Sequence, residues 1–203
     1  MKRLVAATLF ILLTLTLSAC GQAMRQPDIK LNPHPKMRYE ITLAIEDAPG
    51  LFDAVDGFSS YQVSNDRCIP LQPISGAQHT PRKSAPLSLT RVSDKLYKGT
   101  FYVDYLQDEN YFGLGVCRWS MTFVGFSLQI GNLVFSHSLD LNEALLGKPV
   151  PRYFNNRSYF SEDAKSKRDD HPRITSGSAQ RSDFKKDSNS TFSMTLTAKE
   201  SFQ

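Results

Sequence analysis

The chain reads as an all-β protein, an antiparallel β-sandwich closed by one intradomain disulfide. Three observations predict this. Apolar and polar residues alternate at period two over several short stretches. Turn residues separate these stretches at regular intervals, and no long run carries the 3.6-residue periodicity of a helix. Many short strands without a long helix bury their apolar faces as two packed sheets. A closed barrel is the other architecture that such a pattern allows.

The first segment precedes the domain. Lys2 and Arg3 lead an apolar run over residues 4–17, and Leu17-Ser18-Ala19-Cys20 closes it. A basic start, a short apolar core and small residues at a cleavage point define a secretory signal. The core is shorter than the roughly 18 residues of a membrane-spanning helix. The closing run matches the bacterial lipoprotein box, so residues 1–19 read as a cleaved lipoprotein signal peptide and Cys20 as the lipid attachment site. A plain signal peptide that happens to carry a Cys is the alternative. Several acyl chains, at about 0.8 kcal/mol per buried methylene, make such anchoring effectively permanent. Gly21 stands where an Asp would resemble an inner-membrane retention signal. The pattern therefore implies the outer membrane, with the protein facing the periplasm. Residues 20–36 are polar and carry Pro27, Pro33 and Pro35, which suits an acylated, flexible tether.

Order begins at Met37. Met37, Tyr39, Ile41, Leu43 and Ile45 alternate with polar neighbours as a half-buried strand, and Asp47-Ala48-Pro49-Gly50 ends it. Tyr61 and Val63 lead a second strand toward Cys68. Residues 70–86, with Pro73, Gly76 and Pro81, read as a long loop. Leu87 and Leu89 begin a third strand, and Ser93-Asp94 turns it into a fourth. There Tyr97, Gly99, Phe101, Val103 and Tyr105 share a face. After a polar turn at residues 107–110, Cys117, Trp119, Met121 and Phe123 point one way along the central strand. Phe126, Leu128 and Ile130 continue it, and Gly131-Asn132 makes a hairpin to Leu133, Phe135, His137 and Leu139. A short helical turn spans residues 141–146 and ends at Gly147. The sandwich domain is thus expected over residues 37–160. Residues 161–190 are charged and poor in apolar side chains, which predicts a flexible segment. Residues 191–203 hold a last strand on Phe192, Met194, Leu196 and Ala198.

Of three cysteines, Cys20 is assigned to lipid. The remaining pair, Cys68 and Cys117, faces an oxidising compartment, where a disulfide is the natural pairing. It would close a loop of roughly 50 residues, worth about 4 kcal/mol in the chain-entropy account. Two free buried thiols or a metal pair are the alternatives, and neither has His or Cys at ligand spacing nearby. Loss of Lys2 and Arg3 with the signal takes the formal charge from +4 to +2. That is too little, and too scattered, for a nucleic-acid partner.

No nucleophile elbow, His-Glu-x-x-His, phosphate-cradling glycine loop or Cys-x-x-Cys is present, so the sequence suggests a binding protein without cofactor or metal and not an enzyme. The histidines are scattered at positions 34, 79, 137 and 171, and His137 alone sits on a strand. The candidate contact edge is Asp104, Asp108, Glu109, Tyr111 and Phe112, where carboxylates flank a turn beside aromatic side chains. Aromatic anchors with an acidic rim suit a basic partner surface. A solvated hairpin tip above core aromatics is the structural alternative.

Three stretches carry a family resemblance: residues 38–55 (RYEITLAIEDAPGLFDAV), 65–70 (NDRCIP) and 109–121 (ENYFGLGVCRWSM). Together they resemble the periplasm-facing lipoproteins that accompany type VI secretion phospholipase effectors and act as their immunity proteins. The resemblance spans residues 37–160. It implies an inhibitor that binds a toxic lipase, with the phospholipase effector as partner and the lipid anchor as the membrane attachment. A structural or assembly lipoprotein of an envelope secretion machine is a competing reading. So is an inhibitor of another envelope-attacking enzyme such as lysozyme.

Overall fold

The computed structural model describes residues 27–201. The signal peptide, Cys20 and the first part of the tether lie outside the described residues. Ten strands form two five-stranded sheets. The first sheet has the order β4-β5-β1-β10-β8, from β4 (Ser88–Ser93), β5 (Leu96–Tyr102), β1 (Arg38–Glu46), β10 (Thr191–Glu200) and β8 (Val150–Asn155). The second has the order β3-β2-β6-β7-β9, from β3 (Arg82–Pro86), β2 (Ala54–Val63), β6 (Trp119–Ile130), β7 (Leu133–Asp140) and β9 (Arg173–Thr175). All pairings are antiparallel except β7 with β9. The fold is therefore a sandwich with free edges.

Period-two patterning explains the core. Ile41, Leu43 and Ile45 of β1 and Met194, Leu196 and Ala198 of β10 face Tyr61, Val124, Phe126, Leu128, Phe135 and Leu139 of the other sheet, and all are buried. Phe135, Phe154 and Phe192 interlock at centroid distances of 5.0 to 5.4 Å, geometry that adds to simple area burial. The chain changes sheets at Leu87, between β3 and β4. A Cβ on Gly57 would lie 2.7 Å from Leu89 and 2.9 Å from Leu87, so the glycine lets these two leucines close that side.

The expected helical turn is present as α1 (Leu141–Leu146). Asp140 and Glu143 form a reciprocal capping box, and Gly147 ends the helix at φ 67°. The hairpin at Gly131 also forms, with φ 52°.

Four expectations are corrected. First, β2 starts at Ala54, seven residues before Tyr61, and part of the expected long loop is the strand β3. Second, Phe123 does not share the inward face of Cys117 and Met121 and is 39% exposed. A bulge sets Ser60 against Phe123 but Tyr61 against Met121, which reverses the alternation so that Val124, Phe126 and Leu128 turn inward. Third, residues 161–190 are not a free segment. They hold the short helix Glu162–Lys165, strand β9 and a 3-10 turn over Arg181–Asp187. Fourth, the tether is docked from residue 27 onward, as described next.

Candidate functional site

The candidate residues converge at one end of the sandwich, where β2 ends and β6 begins. The disulfide is formed between Cys68 and Cys117, with Cα atoms 5.2 Å apart. It joins the loop after β2 to the hairpin that precedes β6. Both cysteines are buried in a satellite core with Val63 and Ile69, against which Tyr111, Phe112 and Trp119 pack. This small core is separate from the main one, so the bridge fixes two loops that main-core packing would not hold.

The five expected contact residues are together, and each is tied to the protein itself. Asp104 accepts hydrogen bonds from the backbone N–H groups of Lys36 and Met37, at 2.8 and 3.0 Å. It thereby fixes the point where the N-terminal arm turns into β1. Asp108 accepts from the Trp119 N–H at 2.8 Å. Glu109 pairs with Lys30 at 2.8 Å, and this contact raises the Lys30 pKa above its ordinary value. The second Glu109 carboxylate oxygen and the Trp119 indole nitrogen are buried without a partner among the described residues. Tyr111 donates to the Gln107 carbonyl at 2.6 Å and meets Trp119 edge-to-face at 6.3 Å. Phe112 lies over the disulfide cluster. The carboxylates bind the arm and the hairpin base, so the acidic rim is engaged internally.

The arm supplies the other half of this arrangement. Leu31 pairs antiparallel with Leu106, the Gln107 N–H donates to the Lys30 carbonyl, and the Asn32 N–H donates to the Tyr105 carbonyl. Ile29 packs against the main core. Further toward the N-terminus, Pro27 and Ile29 border a groove of about 350 Å³ with Ile69, Pro70, Arg82 and Phe112.

Comparison with protein families, with curated proteins and with solved structures finds no match.

Other chemistry is sparse among the described residues. No three His, Cys, Asp or Glu side chains converge as a metal site requires. Among the described residues no helix is long and apolar enough to cross a membrane. His137 is buried, and its Nε2 lies 2.8 Å from the Val150 carbonyl. Burial lowers its pKa to about 4, so it is a neutral core histidine that donates to that carbonyl. Burial also pushes Tyr61 up to about 12, and its hydroxyl donates to the Tyr102 carbonyl at 2.7 Å.

The sequence reading passed over Leu71, Ile74, Leu114 and Val116, all exposed on the two loops that the disulfide joins. One signal was legible for two of them: Gly113-Leu114-Gly115-Val116 sets each apolar residue directly after a glycine, a spacing that weakens a strand.

Proposed function

We propose that this chain is an outer-membrane lipoprotein, anchored through Cys20 and facing the periplasm, that acts as an immunity protein by binding and inhibiting a type VI secretion phospholipase effector. The observation that carries the reading is the meeting of two resemblance stretches. Residues 65–70 and 109–121 lie far apart in sequence and are joined by the Cys68–Cys117 bridge. Two stretches of likeness on loops that a disulfide preorganises suit a binding role, because fixing loops before binding reduces the ordering entropy lost on association. The address supports the same role. An effector that attacks periplasm-facing lipid is best met by an inhibitor held beside that lipid, since tethering raises local concentration without forming the interface.

Co-expression tests the proposal. Where a phospholipase gene adjoins this one, its product is directed to the periplasm with and without this protein. Survival restored by the protein is expected, as is co-purification of the pair. Equal killing in both cases would reject the immunity reading and favour a structural lipoprotein. Protection against a lysozyme instead would favour the other competing inhibitor.

A further inference from the structure

The disulfide-tied end of the sandwich exposes an apolar set, of which Leu114 and Val116 lie within the resemblance stretch 109–121 and Leu71 and Ile74 lie outside the resemblance stretches. Leu71, Ile74, Leu114 and Val116 are 62%, 102%, 54% and 52% exposed. Single exposed apolar residues are ordinary, but a set on two cross-linked loops marks a docking surface. Exposed Arg67, Arg82 and Arg118 accompany them, and none has a carboxylate partner among the described residues. Arg67 and Arg118 border one hollow with Asn65, Val116 and a single carboxylate, Asp66, and Arg82 borders the groove with Phe112, so the set is net cationic. Apolar tips ringed by cations are what an interfacial lipid contact requires.

The direction of the arm identifies what lies opposite. Because Leu31 runs antiparallel to Leu106, the chain traced back toward the N-terminus travels alongside residues 107–112 toward these loops. At Pro27 it borders the same groove as Pro70 and Phe112. Six residues lie between Cys20 and Pro27, and the seven Cα-to-Cα steps span at most about 25 Å when fully extended. An acylated Cys20 therefore holds this end, and not the opposite one, toward the bilayer.

We infer that the disulfide-tied end docks on the lipid surface that anchors Cys20. Leu71, Ile74, Leu114 and Val116 enter the headgroup–acyl boundary, and Arg67, Arg82 and Arg118 meet lipid phosphates. The inference rests on the acylation of Cys20 and is independent of the identity of any protein partner.

The test uses the full acylated protein carrying Leu114→Cys or, as a control at the opposite end, Ile174→Cys. Ile174 pairs beside Val134, next to the hairpin that ends β6. With Cys20 acylated and the native bridge intact, the introduced thiol alone takes an environment-sensitive fluorophore. The proteins are reconstituted in vesicles of phosphatidylethanolamine and phosphatidylglycerol containing spin-labelled lipid. The expected result is blue-shifted emission at position 114 with quenching several-fold greater than at 174. Equal emission and quenching at both positions on acylated protein would overturn docking while leaving the anchor in place. An intact mass without acyl chains on Cys20 would overturn both. A label at 114 that stays in water on vesicles but is shielded by an added effector would overturn docking and assign the loops to a protein interface.

Discussion

Removing the Cys68–Cys117 bridge should lower stability by about 4 kcal/mol, from the closure of a loop of 49 residues in the unfolded chain. The double variant Cys68→Ala/Cys117→Ala also deletes two sulfurs from sites that are 1% and 0% exposed. It leaves Val63, Ile69, Tyr111, Phe112 and Trp119 around a small void, which adds to the loss. Small domains have only about 5–15 kcal/mol in hand, so about a quarter of the total or more is at stake. The assay is urea unfolding of a chain that starts at Gly21 behind an ordinary secretion signal. The midpoint should fall, and the slope against urea should rise because the unfolded state is no longer cross-linked. Limited proteolysis should cut the variant first between residues 69 and 81 or between 110 and 116. A loss below about 1 kcal/mol, with an unchanged slope, would refute the view that this bridge restrains the unfolded chain and organises that end of the sandwich.

Two further outcomes follow from individual side chains. His137 is a base whose folded pKa, about 4, lies below its ordinary 6.5, so the unfolded chain takes up the proton first. Its contribution is complete above pH 6.5 and is lost as pH falls from 6.5 to 4, by up to about 3 kcal/mol. Urea midpoints across that range should show the loss, and His137→Phe should lack that component, whereas identical pH slopes in both proteins would contradict it. Asp104→Ala removes both acceptors for the Lys36 and Met37 N–H groups. It should speed hydrogen exchange at those two amides with little change at β6, and unchanged exchange would show that the arm is held by other contacts.

The main core was legible because its strands obey period two: β1, β5, β7 and β10 bury the residues that alternation selects. What escaped has physical reasons. The part of β2 before Tyr61 carries Gly57, Ser59 and Ser60, small residues that pack beneath other side chains without a hydropathy signal. In β6 the bulge at Thr122 reverses the pattern midway, and nothing in the residues themselves announces it. Strand β8 contains Pro151, which reads as a break but is tolerated because β8 is the edge of its sheet. Strand β9 is Arg173–Thr175, attached by backbone pairing while Ile174 stays exposed.

The candidate site was half legible. Two cysteines left over once Cys20 is assigned to lipid pointed to the bridge that forms. The carboxylates beside aromatic residues were visible as well, but their use was not. The partners of Asp104 and Glu109, which are Lys30, Lys36 and Met37, come from the arm, 67 to 79 positions away in sequence. A polar, proline-containing arm has no periodicity to show that it will pair. The exposed leucines and valine of the two loops gain their meaning from the cross-link and from the path of the arm, which are tertiary facts.

The immunity reading is tested most directly by phospholipid hydrolysis with purified components. The phospholipase effector that this protein protects against in co-expression is titrated with the mature protein, and released fatty acid is followed on vesicles of phosphatidylethanolamine and phosphatidylglycerol. The account predicts that hydrolysis falls linearly with added protein and stops at a fixed stoichiometric ratio, with or without acyl chains on Cys20. Hydrolysis that continues unchanged at a large excess of folded, disulfide-bonded protein would contradict it.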